Sequence, residues 1–153
     1  MEFHLTTFPR VRVAYYRHVG PYGDAMDAWD KLAALAAKHH LSRDEDVLCI
    51  GACYDDPANV PLDRLRSDVC ITVDQAFAPQ DGADIQELGG GRYVTARYTG
   101  PYSGIGDAYE QMYLWMHRQG LEVASGPTLE IYRNDPHVTP EDELITDLHA
   151  PIQ

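Results

Sequence analysis

Glu130 lies in the stretch PTLEIYR, between Leu129 and Ile131, in a segment rich enough in β-branched and aromatic residues to form a buried strand. A carboxylate in such a place needs a partner or a changed ionisation. It can anchor a cation, or it can draw a proton from water as a general base. Tyr132 falls two residues on, so both side chains share one face of the strand. Trp29 and Tyr109 occupy corresponding places in two helical patterns. A carboxylate facing such aromatics suits flat or cationic organic molecules, through apolar contact, cation–π attraction and ion pairing. A second placement stays open, in which Glu130 lies on a solvated sheet face or pairs with Arg92, Arg97 or Arg133.

The correspondence of Trp29 with Tyr109 rests on an internal repeat. HVGPYGDAMDAWDKL at 18–32 returns as YTGPYSGIGDAYEQM at 98–112, an offset of eighty. Asp56-Pro57 matches Asp135-Pro136, and Asp68 matches Asp147, at an offset of seventy-nine. Landmarks in one order make duplication the better account than chance. Through these landmarks Cys49, Gly51 and Cys53 fall on Thr128, Glu130 and Tyr132. One copy thus offers a carboxylate and a tyrosine where the other offers a glycine between two small thiols. That asymmetry is what a pocket with one polar anchor requires.

The elements that must position these residues follow from periodicity. Strands are predicted at 10–19, 46–54 and 67–73, a short one at 85–88, then at 92–99, 127–133 and within 143–152. Helices are predicted from Tyr22 to His39, with Tyr22, Met26, Trp29, Ala33 and Ala36 on one stripe and Leu32 and Leu35 beside it, and over 103–119, with Ile105, Tyr109, Met112 and Met116 on another and Tyr113 nearby. Each half is therefore β-α-β-β: repeat one at about 9–75, a connector at about 76–91, and repeat two at about 92–152. The expected fold is α+β, one domain over 1–153, with a joined antiparallel or mixed sheet, two long helices on one face, and a pseudo-two-fold axis whose groove is a concave site.

Composition narrows the function. The chain has 153 residues and a formal charge of −12, which repels nucleic-acid phosphates. With both long helical patterns used by the repeat, no helix-turn-helix module is expected, and so no direct contact with DNA. No membrane span is expected. Three cysteines, an odd and small number, suggest reduced thiols and a cytoplasmic setting. Cys49 and Cys53 stand roughly 13 Å apart along a strand, too far to share a metal or a disulfide. His39 and His40 suit a helix C-terminus. No metal site and no cofactor is expected, since no recognised metal, phosphate-loop or nucleophile motif occurs.

The order and spacing of HVGPYG, YDDP followed by LRSD, GGGRYV and LEIY resemble the GyrI-like small-molecule-binding domain, also called the AraC-type effector-binding domain, over about 11–152. The resemblance implies a duplicated, SHS2-like fold with a pocket between the halves that takes amphipathic, often cationic, aromatic compounds, as in multidrug binding. It places the family's glutamate on Glu130, its first-helix aromatic on Trp29 and the neighbouring aromatic on Tyr132. Ile50 and Leu144 fall where other members line the pocket with larger residues, so Ile50, Gly51, Leu144, Trp29, Tyr109, Glu130 and Tyr132 form the expected ligand-binding set. Binding of a small molecule is the first reading, by a stand-alone binder or by the sensing part of a transcription regulator. A hydrolase of reactive, DNA-alkylating cyclopropane compounds, with Glu130 and Tyr132 as its catalytic pair, is the second. A protein partner, as in gyrase inhibition, is the third. The sequence sets no oligomeric state.

Overall fold

The computed structural model describes residues 1–41 and 46–153. The chain forms two compact units, Arg10–Gly89 and Met1–Pro9 with Gly90–Gln153. Among the described residues, eight strands and two α-helices give the α+β class, and every strand pairing within the units is antiparallel.

The first-repeat unit contains β2 (Val11–Val19), α1 (Met26–His39), β3 (Cys49–Cys53), β4 (Arg66–Thr72) and β5 (Asp84–Leu88). Its strands run in the order β3-β4-β2-β5. The second-repeat unit contains β6 (Gly91–Thr99), α2 (Ile105–Arg118), β7 (Thr128–Tyr132) and β8 (Ile145–Ile152), with β1 (Phe3–Phe8) from the start of the chain. Its order is β1-β6-β8-β7. Each unit is therefore a β-α-β-β repeat with one extra edge strand. The first unit takes that strand from the connector, where β5 pairs with β2, and the second takes β1, which pairs with β6.

Strand β1 was not expected from the sequence. FHLTTF alternates weakly, and Leu5 is 53% exposed, so its apolar face is half-used. It is fixed by pairing with a segment far along the chain rather than by its own pattern.

The strand-to-helix turns explain the repeated Gly-Pro-Tyr. Gly20 and Gly100 adopt φ of 136° and 148°, which L side chains rarely reach. Their N–H groups donate to the carbonyls of Leu65 and Leu144 at 2.7 and 2.8 Å. His18 Nε2 and the Tyr98 hydroxyl each bond the proline carbonyl of their own turn, at 2.9 and 2.7 Å. Asp56 and Asp135 close matching turns, accepting the N–H two residues on at 2.9 Å in both.

Each helix covers one face of its own sheet. In the first-repeat unit Ala28, Leu32, Leu35 and Ala36 pack with Ala14, Val69 and Ile71. The buried stripe is rotated from the predicted one: Met26 and Ala33 are exposed and Trp29 is half-buried, because Ala28 and Leu32 take the sheet-facing side. In the second-repeat unit Ile105, Ala108, Met112 and Met116 pack with Val94, Ala96, Leu148 and Ala150. Each fully buried methionine there contributes about 1.5–3 kcal/mol by removal from water, and Met112→Ala costs about 2–5 kcal/mol. Helix α1 ends at His40, whose φ of 56° and backbone N–H to Ala36 and Ala37 make a left-handed cap.

Candidate functional site

Glu130 sits at the middle of β7, directly opposite Leu148 of β8. Leu148 belongs to the core under α2, so Glu130 points to the helix-covered side of its sheet. It is buried, 9% exposed. Tyr132, on the same face, donates its hydroxyl to Oε1 at 2.8 Å. Tyr109, from the half-buried flank of α2, donates to Oε2 at 3.1 Å. Two O–H donors suit an ionised carboxylate, which only accepts. Neither Arg97 nor Arg133 takes Glu130; both bond Asp147. Arg92 bonds the carbonyl of Gln153.

Two further tyrosines extend the cluster. The Tyr102 ring meets that of Tyr132 edge-on at 5.7 Å, and Tyr113 stacks on Tyr109 at 6.1 Å. Both were passed over in the sequence as site residues. Tyr113 had a signal, because it lies four positions after Tyr109 on one helix face. Tyr102 is the second copy of the turn tyrosine. Its counterpart Tyr22 instead donates to the carbonyl of Asp55 and accepts that residue's N–H, at 2.5 and 3.0 Å. Thr146 lies opposite Tyr132 and is fully buried, with no hydrogen-bond partner for its hydroxyl among the described residues.

Leu144 is also in the second-repeat unit and is buried, with its carbonyl committed to the Gly100 turn. Trp29, Ile50 and Gly51 belong to the first-repeat unit. Trp29 packs at the margin of the α1 core. Gly51 opposes Val69 on the helix side of its sheet, whereas Ile50 opposes Cys70 on the other side and is fully buried. Cys49 and Cys53 flank Gly51 on its own face, as period two requires. Burial pushes the Cys70 thiol well above its usual range, so it is held as an unreactive thiol.

A cavity of about 510 Å³ opens at the start of α2, walled by Tyr98, Gly104, Asp107 and Gln111 among others. Glu130 and its tyrosines are not among its walls.

A family model for the GyrI-like small molecule binding domain matches residues 1–153. A DNA gyrase inhibitor of Pectobacterium carotovorum is 28% identical over 139 residues, which cover 88% of each chain. The crystal structure of the EcmrR C-terminal domain superposes with a TM-score of 0.78 at 16% identity, over 99% of this chain and 97% of that one. The structure of SAV2435 bound to tetraphenylphosphonium superposes at 0.67 and 15% identity, over 100% of this chain and 94% of that one. At such identities the structural likeness is one of fold.

Proposed function

This chain belongs to the GyrI-like small molecule binding domain family, and on that premise we propose that it binds amphipathic aromatic cations with Glu130 as the negative anchor. The observation that carries the reading is the buried Glu130 carboxylate held by two tyrosine hydroxyls inside a group of four tyrosines. Tyrosine faces attract a soft cation, and the carboxylate balances its charge where water is scarce. Trp29, Ile50, Gly51 and Leu144 enter the reading through the family resemblance. A relative in fold, SAV2435, is a complex with a cation of this class. The module serves as a stand-alone binder or as the sensing part of a regulator.

Calorimetric titration with tetraphenylphosphonium, and with neutral triphenylphosphine oxide, tests the anchor. Wild-type protein is expected to take the cation in preference to the neutral compound. Glu130→Gln is expected to weaken the cation at least about tenfold, a loss of about 1.4 kcal/mol. Equal affinity in the two proteins, or no binding by the wild type, sinks the reading.

A further inference from the structure

We propose that the helix-free face of the second-repeat unit carries a site for a small organic carboxylate, formed by the guanidinium groups of Arg97 and Arg133 around Asp147. Arg97 Nε and Nη2 bond the two oxygens of Asp147 at 2.8 and 3.0 Å, and Arg133 adds its Nε at 2.7 Å. One carboxylate thus serves two guanidinium groups, and one positive charge is left over. Arg133 spends only Nε on a protein acceptor among the described residues. Its two terminal nitrogens, and Nη1 of Arg97, have no protein acceptor there. The side chains are 38% and 60% exposed, so these donors are open to solvent.

The matched position in the other repeat is an internal control. Asp68 is satisfied there by Arg17, by the Tyr54 hydroxyl at 2.7 Å and by Gln86 at 2.9 Å. Tyr54 occupies the place of Arg133, and its hydroxyl is neutral. The same fold position therefore needs a second donor but not a second charge. Repeat one does bring a second guanidinium, Arg66, over the Tyr54 ring at 5.7 Å, but it is paired with Asp55, whose counterpart is Asn134, so the unbalanced guanidinium is a feature of repeat two, on a chain whose net charge is −12. A guanidinium edge presents two parallel N–H donors spaced for a carboxylate. A monoanion cancels the single surplus charge, whereas a dianion leaves a negative excess on an already acidic protein. This face of β7 and β8 is opposite to the one that holds Glu130, so the site is separate from that of the proposed cation.

The test is an NMR titration of the whole chain with sodium acetate and sodium benzoate, following the arginine Nε–H signals at ionic strength matched with sodium chloride. Saturable shifts of the Arg97 and Arg133 signals are expected with both carboxylates and not with chloride. Arg133→Met is expected to weaken both at least tenfold, and Arg133→Lys to recover part of the loss. If Arg133→Met does not fold, the wild-type signals still decide, because they report the two side chains directly. Absence of saturation overturns the proposal. So do shifts that persist in Arg133→Met, and so does tighter binding of inorganic phosphate than of benzoate.

Discussion

Asp68 and Asp147 occupy the same position in two copies of one unit, yet they are held differently. Asp68 is fully buried, bonded by one arginine, a tyrosine and a glutamine, with the Arg17 guanidinium lying over the Tyr54 ring at 5.1 Å. Asp147 is 7% exposed and bonded by two arginines. Burial drives the Tyr54 hydroxyl far above the usual tyrosine range, and the Asp68 bond adds to it. Burial also pushes the Asp147 carboxyl up, but the bonds from Arg97 and Arg133 outweigh it and leave it below the ordinary range. What the two sites share, a carboxylate bonded by the arginine of the strand before the turn, belongs to the fold. What differs is open to use. Gly51 and Glu130 make the same point on the opposite sheet faces: one backbone position, with a carboxylate in one copy and no side chain in the other.

Removing the charges should separate the two sites most. Asp68→Asn takes the charge from a fully buried carboxylate that Tyr54, Gln86 and the 43%-exposed Arg17 all bond, and a cost of about 3 kcal/mol is expected. Asp147→Asn leaves two half-exposed guanidinium groups that water can solvate, and about 2 kcal/mol is expected. Urea unfolding measures both. Equal midpoint shifts would mean that exposure does not distinguish the sites.

The turns offer a second contrast. In repeat two the Tyr98 hydroxyl caps the turn, and a Cβ at Gly104 would run into that hydroxyl and its ring carbon. Gly104 has φ of −89°, which any residue adopts, so the conflict is one of contact alone. Repeat one has His18 and Asp24 at these positions. Gly104→Ala should cost about 1–3 kcal/mol. Adding Tyr98→His, which copies repeat one, should recover most of it, and a double-mutant cycle showing no coupling would break the correspondence.

Tyr54→Phe should cost about 1–2 kcal/mol, since it deletes a donor to a buried carboxylate. Thermal unfolding of this variant beside Arg133→Met sharpens the contrast, because Arg97 still covers Asp147 and Arg133→Met should cost less.

The smallest effect is a pH dependence confined to the second-repeat unit. His149 is buried among Phe8 and Tyr93, and burial lowers its pKa. Its folded value lies below the unfolded value of about 6.5, so the native ring stays neutral while the unfolded chain takes up a proton. Its contribution is fully present above about 6.5 and is lost as pH falls toward the folded value. Between pH 7 and 5.5 the wild type should lose under about 1 kcal/mol more than His149→Phe. Identical slopes would remove His149 from the account.

Much of this architecture was legible because the chain states it twice. Gly-Pro-Tyr, Asp-Pro and the matched aspartates fixed the element order, whereas Leu129 and Ile131 beside Glu130 left both a buried and a solvated placement open, and the structure has it buried. Other features depend on partners distant in sequence. Asp147 meets Arg97 fifty residues away, and no local pattern announces that bond. The α1 stripe was misread because Met26 and Trp29 are larger than Ala28, although alanine takes the closest approach to the sheet. Tyr102 looked like a turn residue because its counterpart Tyr22 is one.

The edge strands carry a consequence for how this chain can be cut. Residues 1–9 lie at one end of the sequence but complete the unit built from the other end. Trimming the N-terminus is therefore an injury to the C-terminal half, and should strip protection from the amides of β6 while sparing those of β2. Severing the chain between Gly89 and Gly90 gives one piece holding a complete sheet with a dangling spare strand, and another lacking that strand. A synthetic peptide of FHLTTF supplied in trans is the missing stave.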